Sequence, residues 1–193
     1  LALGILPEGY IVPPEDRAIR DLLRRRAYLV RKRTAALLSI QTLFERTTSN
    51  RIAAADIHAW STDSVRDLIG DPVIAESIAL LLPVLRVHTL QINHAESVVR
   101  QKAMLRDEFR LLKTAPGIGN ILALTIMYET ADIARFPKVG DFVSYCRCAK
   151  SEHTSNRKKK GVGNRKNGNK YLSWAFSEAA HHAIRCDPLA KKY

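Results

Sequence analysis

Two long stretches of helical periodicity constrain the fold most. Apolar residues recur at steps of three and four between positions 19 and 44, and again between positions 84 and 112. This spacing places them along one narrow stripe of an α-helix, which is the pattern of helices that pack in pairs. Pro14 with two following acids is a good start for the first helix, and Pro83 is expected to begin the second. The pattern predicts an antiparallel coiled-coil hairpin.

The segments around this hairpin set the expected domain organisation. Five of the first 14 residues are proline or glycine, which disfavour regular structure, so an extended linker is expected over 1–14. Capping aspartates and short apolar groups predict an insert of short helices at 51–82. We therefore predict an all-α chain, with a coiled-coil arm over 15–112 that includes this insert, and a small helical domain over 113–193.

Positive charge is concentrated in one segment of the predicted second domain. Between Arg135 and Lys170 there are eleven lysines and arginines and two acids, and this excess of nine is most of the net charge of +12. The stretch 151–170 is rich in Gly and Asn and nearly free of apolar residues, so we expect a loop that cannot bury a core. Clustered charge of this kind favours a nucleic acid as partner, with an anionic membrane surface as the competing choice.

The first predicted helix is also basic. Eight lysines and arginines lie in its first half, including Arg24 and Arg25, with few acids to balance them. One interpretation is a solvated face that keeps a coiled coil soluble, and the other is contact with phosphates along a groove. Both interpretations remain open from the sequence, and Arg24 and Arg25 are candidate nucleic-acid contacts under the second.

Cysteines and apolar runs bound the setting of the chain. The three cysteines are an odd number, which favours a reduced, cytosolic environment over a disulfide scaffold. Cys146 and Cys148 with His153 and Cys186 lack the ligand spacing of structural zinc, so we expect thiols and no metal site. The longest apolar run ends at Pro83, and we expect no membrane-spanning segment.

A turn between two predicted helices carries a phosphate-binding pattern. The stretch 113–120 reads Lys-Thr-Ala-Pro-Gly-Ile-Gly-Asn and is followed by a new apolar helix. This order resembles the helix-hairpin-helix motif of nucleic-acid-binding proteins, in which glycines let the backbone approach a phosphate and amides of the second helix bind it. The candidate residues are Gly117, Gly119 and Asn120. A plain turn of the same composition is the alternative.

Several motifs in one order resemble the transposases of insertion-sequence family 110. They are the Pro-Gly-Ile-Gly turn, Arg135-Phe136, the segment 142–145, the loop around Ser155, and Gly168-Asn-Lys-Tyr-Leu172. The start of the chain, Leu6-Pro-Glu-Gly-Tyr10 leading into a run of arginines, is similar to the linker and first arm helix of these enzymes. The resemblance extends over nearly the whole chain.

This resemblance implies a mechanism. Family members are DNA recombinases directed by a structured guide RNA, and they join an N-terminal RuvC-like domain with four acidic metal ligands, through a coiled-coil arm, to a C-terminal domain with a catalytic serine. By position the serine is Ser155. Asn156 replaces the glycine that commonly follows it, and 146–150 departs from a glycine and proline found in many members. The acidic domain and its Mg²⁺ would lie upstream of Leu1.

The expected function is therefore that of a DNA transposase fragment that binds DNA and a guide RNA and supplies Ser155 for strand cleavage and exchange. The expected nucleic-acid contacts in the basic segment are Arg157, Lys158, Lys159, Lys160, Arg165, Lys166 and Lys170. The chain itself is expected to hold no cofactor, to be cytosolic, and to pair with another copy through the arm, where Gln91, His94 and Gln101 interrupt the seam. A non-catalytic helix-hairpin-helix binding module and a fragment that only dimerises are the alternatives.

Overall fold

The computed structural model describes residues 9–103, 106–149, 152–156, 158–162 and 167–192, with the backbone alone at 103, 152–155 and 159–162. Within these residues the chain forms α1 Pro14–Thr48, α2 Ala54–Ala59, α3 Thr62–Leu68, α4 Pro72–Ala103, α5 Asp107–Leu112, α6 Asn120–Thr130, α7 Val139–Tyr145, β1 Glu152–Ser155, β2 Lys158–Val162 and α8 Lys170–Cys186. Short 3-10 helices lie at Ile133–Arg135 and Ala190–Lys192. The all-α class and the pair of long helices are confirmed.

The chain divides into two compact units. The arm unit is Leu22–Val98, and the terminal unit combines Leu1–Asp21 with Val99–Tyr193. The units meet after Asp21 in α1 and after Val98 in α4, whereas the sequence predicted domain boundaries at 15 and 112. The predicted domain division stays a prediction.

In the arm unit, α1 and α4 run antiparallel. Arg26 on α1 forms an ion pair of 2.7 Å with Glu96 near the end of α4, whereas Ile40 near the end of α1 packs against the start of α4. Short helices α2 and α3 close this core at one end, together with Trp60 between them, whose ring lies 5.4 Å from that of Phe44. The core members are Ile40, Ile57, Trp60, Val65, Ile69, Ala75, Ile78, Leu82 and Leu85.

Helix α4 begins eleven residues before the predicted start at Pro83, and this expectation was wrong. The side chain of Asp71 accepts hydrogen bonds from the amides of Val73 and Ile74, at 2.8 and 3.2 Å, and so caps the helix just before Pro72. Pro83 removes one helical hydrogen bond, but it is exposed. The helix continues through it because apolar residues on both sides of it, Ile78, Leu82 and Leu85, are buried in one core.

The second long helix also ends earlier than predicted. It stops at Ala103, and residues 107–112 form the separate helix α5 in place of a continuous helix to Leu112. Arg106 lies just before α5, where its guanidinium forms an ion pair of 3.0 Å with Asp16 in the first turn of α1. The same guanidinium lies 5.6 Å from the ring centroid of Tyr128. Burial raises the pKa of Tyr128, and Arg106 opposes that shift.

Helix α4 keeps a second apolar face outside the arm core. Exposed side chains on it are Val73, Leu80, Val84, Val87 and Leu90. Over Pro72–Lys102 the helix is long and apolar enough to cross a membrane, contrary to the expectation from Pro83, and 28% of its most apolar stretch is buried. One such helix is weak evidence for a membrane span, because core helices of soluble proteins can have the same length and apolar composition.

The terminal unit is built around α6. Every residue from Leu122 to Thr130 is buried, so this helix is surrounded on all sides. Its neighbours are α5, α7 and α8, and the core they form holds Leu122, Ile126, Cys146, Leu172, Ala175 and Ala179, with Phe142, Tyr145 and Phe176 at its edge. The basic segment leaves this helical core after α7 and returns to it at α8.

Part of the basic segment has regular structure, whereas the sequence predicted a loop over 151–170. Strands β1 and β2 pair antiparallel, with Ser155 opposite Lys158 and Glu152 opposite Val162, and the register shifts between His153 and Thr154. A two-residue turn therefore connects the strands. Backbone pairing satisfies the amides of this polar stretch without a core of its own, which composition alone did not indicate.

Candidate nucleic-acid interface

The two ends of the basic segment meet at one point of the helical core. The amide of Asn169 donates to the carbonyl oxygen of Tyr145 at 2.6 Å. The guanidinium of Arg147 donates to the carbonyl oxygen of Gly168 at 3.1 Å. The segment 147–168, which carries the hairpin, is therefore joined to the helical core at both ends.

Asn169 makes the main contacts that hold this segment to the core, and it is 8% exposed. We call it the anchor of the segment. Its side-chain oxygen caps α8 by accepting hydrogen bonds from the amides of Tyr171 and Leu172. Its side-chain nitrogen donates to the carboxylate of Glu129 at 2.6 Å. Because Glu129 is 3% exposed, its carboxylate needs such donors to remain in the interior. One amide side chain thus links α6 to the start of α8.

Gly168 is required by close packing beside this anchor. Its φ is +83°, and a Cβ at this position would lie 2.5 Å from the carbonyl oxygen of Tyr145. A side chain would therefore be strained by the backbone conformation and would also overlap Tyr145. The Gly-Asn-Lys sequence at 168–170 has a structural reason, and Lys170 is exposed in the first turn of α8.

At the tip of the hairpin, Ser155 is the last residue of β1 and pairs with Lys158. Asn156 in the turn has a φ of +54°. A two-residue hairpin turn needs positive φ at its first position, and asparagine is, after glycine, the residue that tolerates it best. The replacement of the family's glycine by Asn156 is therefore compatible with the turn.

The other predicted contacts of the segment are placed only in part. Lys158, Lys159 and Lys160 lie in β2, and of these the side chain of Lys158 is described and is exposed. Arg157, Arg165 and Lys166 lie outside the described residues. The side chain of Ser155 is likewise outside them, so its role as nucleophile stays a prediction.

The turn between α5 and α6 separates the roles of its two glycines. Gly117 has a φ of +81°, and a Cβ on it would overlap the backbone of α8 at Ala179 and Ala183. Internal packing thus accounts for Gly117. By contrast, Gly119 has open space around it and precedes an α6 whose N-terminus has no side-chain cap. Asn120, the first residue of α6, is exposed, so this N-terminus faces solvent.

Some of the positive charge in the segment serves the scaffold. The guanidinium of Arg135 lies 4.6 Å from the ring of Tyr10, 4.3 Å from that of Phe136 and 4.6 Å from that of Tyr145. Its Nε also donates to the carbonyl oxygen of Thr130 at 3.3 Å. Stacked among three rings, Arg135 links Tyr10 to Phe136 and Tyr145 within the terminal unit. The charge open to a ligand is thus smaller than the sequence count.

The cysteines differ in their surroundings. Cys146 is 1% exposed, and burial raises the pKa of its thiol to about 12, so it is protonated at neutral pH. Cys148 and Cys186 are exposed, and all three are free thiols. Among the described side chains, no group of three or more His, Cys, Asp or Glu residues is placed to hold a metal ion.

The predicted contacts on the arm lie on α1. Arg25 is exposed, with its guanidinium 5.6 Å from the ring centroid of Tyr28, and Arg24 is half-buried. They lie in the arm unit, and the basic hairpin lies in the terminal unit.

Sequence reasoning missed Glu129, Arg135 and the anchoring role of Asn169. A signal for Glu129 was available, since it is the one charged residue of the apolar stretch 121–130, and a buried acid requires a partner. No sequence signal identified Asn169 as that partner, because the two residues are 40 positions apart.

A comparison with known protein families gives a match within the terminal unit. Residues 109–193 match the family described as "Transposase IS116/IS110/IS902 family". No curated protein matches the chain. The matched range contains most of α5, all of α6, α7 and α8, and the basic hairpin. In agreement with the sequence resemblance, residues 109–193 are thus similar to transposases of this family.

Proposed function

We propose that this chain is the strand-exchange part of a guide-RNA-directed DNA recombinase, in which Ser155 is the nucleophile and the basic segment holds the DNA backbone. The family match supports the transposase role itself. The serine, the guide RNA and the binding surfaces are proposed here from the resemblance and from the positions of the residues. Such a protein acts in the bacterial cytosol.

The observation that supports this assignment best is the anchored hairpin. Ser155 is the last residue of β1, where it pairs with Lys158 of β2. The two ends of the segment that carries these strands are joined by a hydrogen bond between Asn169 and Tyr145. A nucleophile must be held in a fixed geometry toward the bond that it attacks. A serine in a free polar loop would lack this constraint, whereas strand pairing within a segment that is joined to the core at both ends would provide it.

The proposed reaction is two successive transesterifications. The Oγ atom of Ser155 attacks a DNA phosphorus atom and loses its proton, while the bond from phosphorus to one deoxyribose oxygen breaks and that oxygen gains a proton. The phosphodiester is thereby conserved as a phosphoserine link. A deoxyribose hydroxyl from another strand then attacks the phosphoserine and releases the serine, so no external energy source is needed. Lys158 and its neighbours would stabilise the charge on the phosphoryl oxygens.

The resemblance implies that Mg²⁺ is held by the carboxylates of a RuvC-like domain. A bound Mg²⁺ would stabilise charge on the attacking or leaving oxygen. We propose no metal ligand among the described side chains of this chain, and its own contribution is limited to the serine, the phosphate contacts and the scaffold.

The direct test uses the complete recombinase with its guide RNA. Ser155→Ala should abolish strand exchange while DNA affinity changes by less than about twofold, because one hydroxyl adds little beside several lysines. Ser144→Ala is a matched control in α7 and should remain active. A covalent protein–DNA adduct that maps by mass spectrometry to another residue would overturn the assignment and favour the non-catalytic module.

Phosphate contact by the hairpin is tested through its salt dependence. Replacement of Lys158, Lys159 and Lys160 together by alanine should lower the slope of log affinity against log salt by about 2 to 3 for duplex DNA. Replacement of three cations on the exposed face of the last helix and 3-10 turn, Arg185, Lys191 and Lys192, is the matched control. An equal change of slope in both triple variants would show that net charge, and not the hairpin, determines binding.

The turn between α5 and α6 supports a second contact, which the binding-module alternative shares. The first amides of α6 have no helical partner, its first turn carries no acid, and Gly119 leaves room for a phosphate to approach. Asn120→Pro removes one of these amides without a change of charge. Proline suits a first helical position, and the extended backbone of Gly119 (φ −85°, ψ −179°) is compatible with a following proline.

Asn120→Pro should therefore weaken duplex DNA binding by about tenfold, the effect of one charge-assisted hydrogen bond, with little loss of stability. Asn120→Ala keeps the amide and should bind within about twofold of the original protein. Equal affinities for the proline and alanine variants would contradict phosphate binding at this helix end.

We also propose that the outer apolar face of α4 pairs with another copy of the chain. Its exposed residues Leu80, Val84 and Val87 follow steps of four and three, and Gln91 and His94 continue the same spacing. Such a repeat fits a helix partner, and polar residues at seam positions fix its register. Leu80→Lys with Val87→Lys should give a monomer by light scattering at micromolar concentration, whereas Leu38→Lys on α1 should not change the mass. A monomeric original protein, free and on DNA, would contradict this.

A further inference from the structure

A ring of cations surrounds one exposed aromatic residue on the outer side of α1. Tyr28 is 41% exposed. Its four same-face neighbours on the helix, at three and four positions on either side, are Arg24, Arg25, Arg31 and Lys32. The guanidinium of Arg25 lies 5.6 Å and the ammonium of Lys32 5.5 Å from the ring centroid of Tyr28. We call these five residues the Tyr28 patch.

The patch is not part of the arm core. Nine residues, or two and a half helical turns, separate Tyr28 from Leu37, which packs against that core, so the two side chains point to opposite sides of α1. Tyr28 therefore lies outside that core, with 41% of its surface exposed to solvent.

Three of the four cations of the patch are not balanced by carboxylates of the described residues. No acid occurs between Asp21 and Glu45. Arg26, on the inner side of the same helix, reaches Glu96 at 2.7 Å. Among the described residues, by contrast, no carboxylate lies within ion-pair distance of Arg25, Arg31 or Lys32. Like charges gathered on one face disfavour the helix, and an anionic ligand would offset that cost.

From this arrangement we infer that the Tyr28 patch binds single-stranded nucleic acid, with an unpaired base stacked on Tyr28 and its flanking phosphates held by Arg25 and Lys32. A tyrosine ring offers a flat face to any base, and cations on both sides match the phosphates before and after that base. A paired base has no free face for this stack. The patch has no group that reads the sugar, so RNA and DNA single strands are equivalent ligands.

An acidic protein segment is the other anion that four cations could attract. It would use the charges but not the aromatic face, since carboxylates have no flat surface of comparable size. The central position of Tyr28, with a cation at each neighbouring position, favours the nucleic acid. The inference rests on the proposed nucleic-acid role of the chain, but it concerns a surface of the arm unit that is separate in sequence from the basic hairpin.

The experiment uses the full chain and an oligonucleotide that carries 2-aminopurine in an unpaired stretch, whose fluorescence falls when the base stacks. The original protein should quench it on binding. Tyr28→Leu removes the ring but keeps an apolar helix former, and it should abolish the quenching and weaken single-strand binding about tenfold. Tyr28→Phe keeps the ring and should restore both within about twofold. RNA and DNA strands of one sequence should respond alike.

Charge variants and duplex binding separate this inference from the proposed function. Arg25→Gln should weaken single-strand binding, whereas Arg51→Gln, an exposed arm residue that already pairs with Glu45, should not. Duplex DNA affinity should be unchanged in Tyr28→Leu and reduced in the hairpin lysine variant. If Tyr28→Leu quenches and binds like the original, or if a polyglutamate peptide competes with an equal dependence on Tyr28, the inference is wrong. If the original protein binds no nucleic acid at all, the proposed function fails with it.

Discussion

Helices α4 and α6 are both rich in apolar residues, but they use them in opposite ways. In α6 every residue from Leu122 to Thr130 is buried within the terminal unit. In α4 one face is buried in the arm core, while Leu80, Val84 and Val87 on the other side are exposed. An apolar helix is thus buried on all sides in the terminal unit, whereas in the arm unit an apolar helix has one face exposed to solvent. Composition does not distinguish the two cases, whereas the exposure of each face does.

The periodicity of each helix explains the difference. In α6 the apolar residues follow no single stripe, as expected for a helix enclosed on all sides. In α4 two stripes run along the helix. One includes Ile78, Leu82 and Leu85 and faces α1, and the other repeats through Leu80, Val84 and Val87 with the spacing of a coiled coil. The second stripe supports our proposal that the arm is a site of assembly.

Alanine substitution of three leucines tests this comparison with the largest expected effect. Leu124 in α6 is 0% exposed and Leu82 in α4 is 2% exposed, so alanine at either site should lower the free energy of unfolding by about 2 to 5 kcal/mol. Leu80, at 65% exposure on the same helix as Leu82, should change it by less than about 0.5 kcal/mol when the protein is dilute. Urea unfolding measures all three. A large loss for Leu80→Ala would mean that the outer face is covered within the chain.

A second test separates packing from function in the turn before α6. Gly117→Ala meets both a positive φ and the backbone of α8, and it should lower the free energy of unfolding by about 2 kcal/mol or more. Gly119→Ala, two positions away, has open space and should cost less than about 1 kcal/mol. If both alanine variants are equally stable, close packing against α8 is not the reason for Gly117.

A third test concerns the anchor that joins α6 to the basic segment. Asn169→Ala removes the cap of α8 and the hydrogen bond to the buried carboxylate of Glu129, and should cost about 2 to 3 kcal/mol by thermal or urea unfolding. Asn169→Ser keeps a capping oxygen but loses the hydrogen bonds of the side-chain nitrogen to Glu129 and to the Tyr145 hydroxyl, so it should recover about 1 kcal/mol. Equal losses in the two variants would show that the cap contributes nothing.

The sequence predicted well where one local pattern decided the structure. The seam from 19 to 44 and the first-turn acids gave α1 within a few residues. The sequence predicted the structure poorly where tertiary packing outweighed a local signal. Pro83 is a strong helix breaker in isolation, but the buried residues on both sides of it keep α4 continuous from Pro72.

The candidate site shows the same division. The basic character of the segment was plain from the sequence, but its hairpin was not, because alternation of apolar and polar residues is absent from 152–162. The anchor was also hidden, since the contact between Glu129 and Asn169 spans 40 positions. Long-range pairs of this kind leave no local pattern, whereas the positive φ of Asn156 follows a preference that the sequence does carry.

The smallest expected effect is at Asn156, and it connects the hairpin to the family's glycine. The φ of +54° lies in the left-handed region, where glycine is unstrained and asparagine costs little, so Asn156→Gly should change local stability by less than about 0.5 kcal/mol. Asn156→Val places a β-branched side chain there and should cost about 1 to 2 kcal/mol. Because the hairpin is a small part of the chain, the measurement is amide hydrogen exchange of the paired strand residues, which should be nearly unchanged in the glycine variant and faster in the valine variant. In the complete recombinase, strand exchange should follow the same order, since the turn positions Ser155. Loss of activity with glycine and retention with valine would show that the side chain of Asn156, and not the turn conformation, matters at this position.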